Sequence, residues 1–211
     1  MSFAKEAWSF VLPFVFLAAL LFVLGHPGWG VAALVVGLLV LLFFRDPARR
    51  YEGGAGVVLA PADGLITRVD VIEDPEIGPG RFHRVVTFLS VFDIHVQKAP
   101  VAGGVTASRY TVGRKVAAFR EDAGEVNEKH LTVIRRPNGD LVGVRQIAGL
   151  LARRVVCYLK EGDQVHRGQP MGLIKFGSRV DLLVPEGYSV LVKKGDRLKN
   201  GFTPVAQETA R

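Results

Sequence analysis

A chain of 211 residues has room for one domain of ordinary size and an appendage. Its single cysteine, Cys157, excludes a disulfide framework and a multi-cysteine metal centre, and "RRVVCYL" reads as an apolar setting for an inert thiol. The formal charge of +7 calls for an anionic partner; with no Lys/Arg run interleaved with aromatics, an acidic membrane surface is expected and nucleic acid is not.

The apolar excess lies before Arg45. Residues 9–24, "SFVLPFVFLAALLFVL", and 31–44, "VAALVVGLLVLLFF", are free of charge and flank the turn-former cluster "GHPGWG". At about 1.5 Å per residue such runs reach roughly 21–24 Å, against about 30 Å for a bilayer core. With flanking residues they predict a short transmembrane or re-entrant helical hairpin over residues 1–50. Lys5 before it and Arg45, Arg49 and Arg50 after it place both ends on the cytoplasmic side of the cell membrane. The three arginines are expected at headgroup depth against anionic lipid.

From residue 51 to 211 short β-rich runs alternate with Gly, Pro and Asp turns: "VVLA", "GLITRVDVI", "HRVVTFLS", "HVQKA", "GGVTASRYTV", "HLTVIRR", "LVGVRQI". That spacing predicts a mainly β body, a sandwich or barrel. Only "AGLLARRVV", 148–156, suggests a short helix. Two internal echoes stand out. "APADGLIT" (60–67) matches "APVAGGVT" (99–106), and "LKEGDQVHRGQPMG" (159–172) matches "VKKGDRLKNGFTPVA" (192–206). Both patterns resemble barrel-sandwich, lipoyl-like hairpins and predict a quasi-twofold arrangement.

In "MGLIKFGSRVDLLVP" two strands, "GLIKF" and "VDLLV", flank Gly177-Ser178-Arg179. Gly-Ser is ordinary turn chemistry. It is also a pair through which a backbone can cut itself. The serine hydroxyl attacks the preceding carbonyl, an approach left open by a glycine without Cβ, and elimination followed by hydrolysis leaves a pyruvoyl group. A base, a group that orients it and oxyanion donors must accompany the serine.

"FFRDPARR", "APADG", "FLSVFDIHVQKAPVAG", "VNEK" and "GLIKFGSRVDLLVP", in that order, resemble the short bacterial and archaeal form of the phosphatidylserine decarboxylase proenzyme family. The resemblance implies self-cleavage between Gly177 and Ser178, giving a β chain of 1–177 and an α chain of 178–211 that stay together and could assemble further. It also implies a pyruvoyl group made from Ser178 rather than pyridoxal phosphate, and decarboxylation of phosphatidylserine to phosphatidylethanolamine. By the same resemblance Asp63 and His95 serve Ser178, with the carboxylate orienting the imidazole. Longer members carry a second histidine where Lys98 stands, which leaves its duties to His95 or shared with Lys98 or His83. Arg179 either holds a substrate anion or is a solvated turn residue. Asn127 and Glu128 either line the site or supply structural hydrogen bonds. His130 and His166 read as solvated, and no His/Cys/Glu set has metal-ligand spacing, so no metal is expected. The competing readings are a non-enzymatic, membrane-anchored barrel-sandwich adaptor and a serine hydrolase; the latter lacks a Gly-x-Ser-x-Gly elbow.

Overall fold

The computed structural model describes residues 2–114, 116–117, 120, 122–150, 154–175 and 178–209. Residues 1–48 and 49–211 form two compact units.

In the first unit, β1 (Ser2–Phe3) pairs antiparallel with β2 (Arg45–Asp46), tying together the outer ends of helices α1 (Ala7–Val23) and α2 (Pro27–Phe43). Leu24-Gly25-His26 breaks the helical run, and Pro27 restarts it from the first helical position, where its missing N–H costs nothing. The helices meet along a seam of small residues. Ala18, Gly30, Ala33 and Gly37 are buried, and a Cβ on Gly37 would lie 3.2 Å from Phe14. Trp8, Phe16, Trp29 and Leu39 face outward. The hairpin is thus present, but its transmembrane reading is not supported: each helix has 17 residues, and no helix among the described residues is long and apolar enough to cross a membrane. The break at Gly25 is the cause, since about 25 Å of helix falls short of a core of about 30 Å.

The second unit is mainly β. Its strands are β3 (Val57–Leu59), β4 (Gly64–Glu73), β5 (Arg81–Leu89), β6 (Val96–Lys98), β7 (Gly103–Thr111), β8 (Lys129–Arg135), β9 (Leu141–Ala148), β10 (Val155–Cys157), β11 (Gln164–Val165), β12 (Pro170–Ile174), β13 (Ser178–Pro185), β14 (Tyr188–Val190), β15 (Arg197–Leu198) and β16 (Pro204–Glu208). The one helix among the described residues of this unit, α3 (Ala123–Val126), is a single turn. The helix expected at 148–156 is overturned at both ends: Ala148 closes β9 and Val155 opens β10, while 151–153 lie outside the described residues.

The eight-stranded sheet has the order β11-β7-β8-β9-β13-β5-β4-β15, and two three-stranded sheets, β10-β12-β6 and β14-β16-β3, complete the sandwich. Each order is one half of a twofold. β11-β7-β8-β9 mirrors β15-β4-β5-β13, and β10-β12-β6 mirrors β14-β16-β3, with an axis between β9 and β13. The two sequence echoes meet across each other. Gly162 N–H donates to Val105 O and Gly195 N–H to Ile66 O, both at 2.9 Å, and the N–H groups of Gly168 and Gly201 donate to the carbonyls of Ala99 and Ala60, both at 2.8 Å. Gly64 and Gly103 are matched too: with φ of 146° and 156°, a Cβ on either would strike a carbonyl, Phe88 O at 2.2 Å or Arg135 O at 2.1 Å.

The main core lies between the large sheet and the two small ones, and includes Ile66, Val85, Ile134, Val144, Met171, Ile174, Leu182 and Val205. A second cluster of Ile77, Phe82, Ala107, Leu131, Val133 and Leu183 covers the other face. β13 is therefore buried on both sides. It belongs to the large sheet, whereas β12, which precedes it in the chain, belongs to a small one. Residues 176–177 lie outside the described residues, but β12 and β13 do not pair as the expected hairpin with a turn at Gly177-Ser178-Arg179: they belong to different sheets, with Ile174 and Leu182 meeting in one core.

Candidate active site

Ser178 is the first residue of β13, facing Leu89 at the end of β5 and Ala148 at the end of β9. It is fully buried, and its Oγ has no hydrogen-bond partner among the described residues. Leaving a buried hydroxyl unpaired costs on the order of 1–3 kcal/mol, so a core strand does not carry one without cause. Gly177, the other half of the expected cleavage site, lies outside the described residues.

The His95 segment is joined at two points to the strands that lead to Ser178. Six residues run from Leu89, which pairs with Ser178, to His95, and the His95 carbonyl accepts the N–H of Ile174, at the end of the strand that leads to Ser178. The ring is buried, and its Nδ1 donates to the Asp93 carbonyl at 2.8 Å. A carbonyl only accepts, so Nδ1 carries a proton, and in the neutral ring Nε2 is then the basic nitrogen, the arrangement a general base needs. The loop itself is closed by Asp93, whose Oδ2 accepts from the Ser90 N–H and hydroxyl at 2.8 and 2.7 Å.

Asp63 departs from its expected part. Its carboxylate is paired with Arg49, Nη1 to Oδ1 at 2.5 Å and Nη2 to Oδ2 at 2.9 Å, and accepts the Asn200 N–H at 2.8 Å. The ring of His95 is oriented by a main-chain carbonyl instead. Asp63 reaches the histidine segment indirectly, since Asn200 Nδ2 donates to the Val96 carbonyl at 2.6 Å. The same bonds correct the reading of Arg49, which is drawn inward to Asp63 and Asn200 rather than to lipid. Arg50 is exposed, and Arg45 donates to the Leu42 carbonyl at the end of α2.

Arg179 is neither a solvated turn residue nor open to a substrate anion. It is buried on the opposite face of β13 from Ser178 and grips Asp181 with two bonds, 2.6 and 2.7 Å. Residues two apart on a strand share a face, which fixes this pairing. Asp181→Leu is expected to leave a buried guanidinium uncompensated and to lower stability by about 3–5 kcal/mol, read by chemical denaturation, whereas Arg179→Leu with Asp181→Leu together costs far less.

His83 is also remote. It lies six residues from Leu89 along β5, about 20 Å away, and its Nε2 donates to the Glu186 carbonyl at 3.0 Å. Lys98 is buried in β6, with its stem against Gly201. Asn127 is structural: its amide donates to the Val116 and Ala148 carbonyls and its Oδ1 accepts the Val116 N–H, at 2.7–2.8 Å. Glu128 accepts the Val155 N–H at 2.9 Å. Both therefore clasp the strand ends around Ser178.

Three polar groups escaped the sequence reading. Gln146 on β9 donates to Gln97 on β6 at 2.8 Å, and Gln97 donates to the His95 carbonyl at 2.8 Å, linking the two sheets beneath the serine. Gln146 Oε1 is buried without a partner among the described residues. Asn200 is the third. For the two glutamines the one signal in the sequence was a polar residue at an inward position of an apolar strand; Asn200 lies in the turn after β15 and gave none.

His166 is exposed as expected, but His130 is buried. Its Nε2 donates at 2.9 Å to Ser108 Oγ, which itself donates to the Leu159 carbonyl. Burial pushes the His130 imidazole below its ordinary value of 6.5. With the folded value depressed, the unfolded chain takes up the proton first. Stability is accordingly full above about pH 7 and falls as pH drops through the unfolded value toward the folded one. His130→Gln is expected to flatten that part of a plot of melting temperature against pH.

Residues 36–206 match the family model described as phosphatidylserine decarboxylase. Among curated proteins the chain is similar to the phosphatidylserine decarboxylase proenzyme of Symbiobacterium thermophilum, 44% identical over 207 residues that make up 97% of this chain and 94% of that one. It is 46% identical to the proenzyme of the same name from Granulibacter bethesdensis over 82% of this chain and 72% of that one. For the Saccharopolyspora erythraea protein, again so named, identity is 43% over 92% and 85%.

Proposed function

The chain belongs to the phosphatidylserine decarboxylase family, and from that premise we propose that it cuts itself before Ser178 and then decarboxylates phosphatidylserine to phosphatidylethanolamine. The observation that carries the reading is the buried Oγ of Ser178 at the head of a central strand, without a hydrogen-bond partner among the described residues; a histidine that donates from Nδ1 lies on the segment following the neighbouring strand β5.

His95 Nε2 accepts the hydroxyl proton as Oγ bonds to the carbonyl carbon of residue 177, and the C–N bond breaks to leave an ester. Loss of the Ser178 α-proton expels the carboxylate of residue 177. In the first step the imidazolium returns its proton to the departing Ser178 nitrogen, and after the elimination hydrolysis of the dehydroalanine by water releases ammonia and leaves a pyruvoyl cap on the α chain. The fit of such a group to this position is supported by the buried Oγ itself, which no hydrogen bond among the described residues claims. When present, the group supplies a carbonyl that withdraws the electrons left behind as carbon dioxide departs, the work of an organic cofactor done by the backbone. His95 then holds at Nε2 the proton that returns to the substrate Cα. Asp63, Arg49 and Asn200 position the histidine segment through Val96.

The chain is placed at the cytoplasmic side of the cell membrane, with the N-terminal helical pair seated in the bilayer surface rather than across it. Its outward Trp8, Phe16 and Trp29 suit that depth. The cut chains remain joined because β13 is hydrogen-bonded to β5 and β9 on both edges. An adaptor built on the same sandwich gives no reason for an unpaired serine in the core. Purified protein given phosphatidylserine labelled at the serine carboxyl should release labelled carbon dioxide and form phosphatidylethanolamine, read by mass spectrometry. Release of neither by split protein sinks the reading.

A further inference from the structure

We propose that the end of the large sheet that carries Ser178 is itself a bilayer-docking surface: an apolar rim of Leu65, Val91, Phe92, Tyr110, Val112 and Leu150 that enters the headgroup region of an anionic phospholipid membrane. It rests on the phospholipid reading above and adds a second attachment, borne by the catalytic body.

Strand register puts all six at one end. Leu65 pairs with Phe88, next to the partner of Ser178, and Val91 and Phe92 come directly after β5. Leu150 lies two residues beyond Ala148, the other partner of Ser178. Val112 comes after Tyr110 and Thr111, which pair with the start of β8. Phe92 is 82% exposed, Val112 80% and Leu150 65%. The two other large apolar side chains exposed on the described body, Leu191 and Phe202, lie beside β14 and β15.

The internal twofold supplies a comparison within the chain. At the opposite end Gly104 stands where Leu65 stands, since Gly104 pairs with Arg135 as Leu65 pairs with Phe88. The turn Pro137-Asn138-Gly139 comes after β8 where Ser90-Val91-Phe92 comes after β5. No large apolar side chain among the described residues is exposed there. The fold thus closes without an apolar rim, and the rim at the Ser178 end answers to something outside it. Exposed apolar clusters that the fold does not require mark interaction surfaces.

Charge selects the occupant. Arg109, Arg114 and Arg154 are exposed at the same end, on or beside the strands that carry the rim, and none makes an ion pair among the described residues. Apolar side chains ringed by unpaired guanidinium groups fit acyl chains beneath anionic headgroups, each basic residue adding on the order of 1 kcal/mol near such a surface. A substrate whose head must reach a buried serine while its tails stay in lipid calls for that orientation.

The test uses the full-length protein with Cys157→Ser and one new cysteine, Phe92→Cys, Val112→Cys or Asn138→Cys, carrying an environment-sensitive nitrobenzoxadiazole dye. Cys157→Ala replaces the serine form should that be unstable. With vesicles of phosphatidylcholine and phosphatidylserine, dyes at positions 92 and 112 are expected to brighten several-fold and to be quenched by bromine in the acyl chains, while the dye at 138 does neither. Responses at 92 and 112 no larger than at 138 overturn the proposal, including the case in which the rim serves a protein partner. Carbon dioxide release from labelled phosphatidylserine, measured on the parent protein, reports separately on the decarboxylase reading.

Discussion

Ser178→Ala is expected to run as one chain on a denaturing gel and to release no carbon dioxide from phosphatidylserine, where the parent runs as two and is active. The variant should fold at least as well as the parent. Its only loss is a buried hydroxyl with no partner among the described residues, and replacing an unpaired polar group in a core by a methyl group removes a cost of about 1–3 kcal/mol. A melting temperature equal to or above that of unsplit parent therefore separates lost chemistry from lost structure. An active, unsplit Ser178→Ala protein would sink the whole mechanism, and so would parent protein that never splits.

His95→Gln is expected to slow splitting by about 10²- to 10⁴-fold, the usual contribution of a placed general base. Glutamine can still donate to the Asp93 carbonyl, as Nδ1 does at 2.8 Å, but it offers no basic nitrogen. Intact mass followed over days measures the rate. Splitting at the parent rate would remove His95 from the mechanism. Asp63→Asn supplies the contrast. If Asp63 acts through Asn200 and Val96, the variant slows splitting without changing the pH at which the rate is half-maximal, because the histidine keeps its main-chain partner. A shifted midpoint would restore Asp63 to direct contact with the imidazole.

The candidates for the site came from short motifs: Gly-Ser ahead of an apolar strand raised Ser178, and the resemblance of "PADG" and "FDIHV" to the family's motifs implied Asp63 and His95, while the two echoes announced a twofold that the sheet order then displayed. The misreadings share one origin. Arg179 read as a turn residue, "GLIKF" and "VDLLV" as a hairpin, and His130 as solvated, since apolar alternation says which residues are inward but not which layer they enter. His83 was drawn toward the site by chemistry alone, and the register of β5 against β13 carries it about 20 Å away. Arg49 looked like a lipid anchor for its place beside Arg45 and Arg50, yet it folds onto Asp63.

Periodicity and turn residues depend on neighbours a few positions apart, so the sequence by itself determined a β body and an apolar helical pair ahead of it, while the family resemblance implied the serine, histidine and aspartate to look for. Which partner each polar group finds depends on residues dozens of positions away, brought close only when strands choose their sheets. Tertiary structure alone decided that Ser178 lies in the core without a partner among the described residues, that a carbonyl orients His95, and that Arg179 pairs with Asp181 on the face of β13 opposite Ser178.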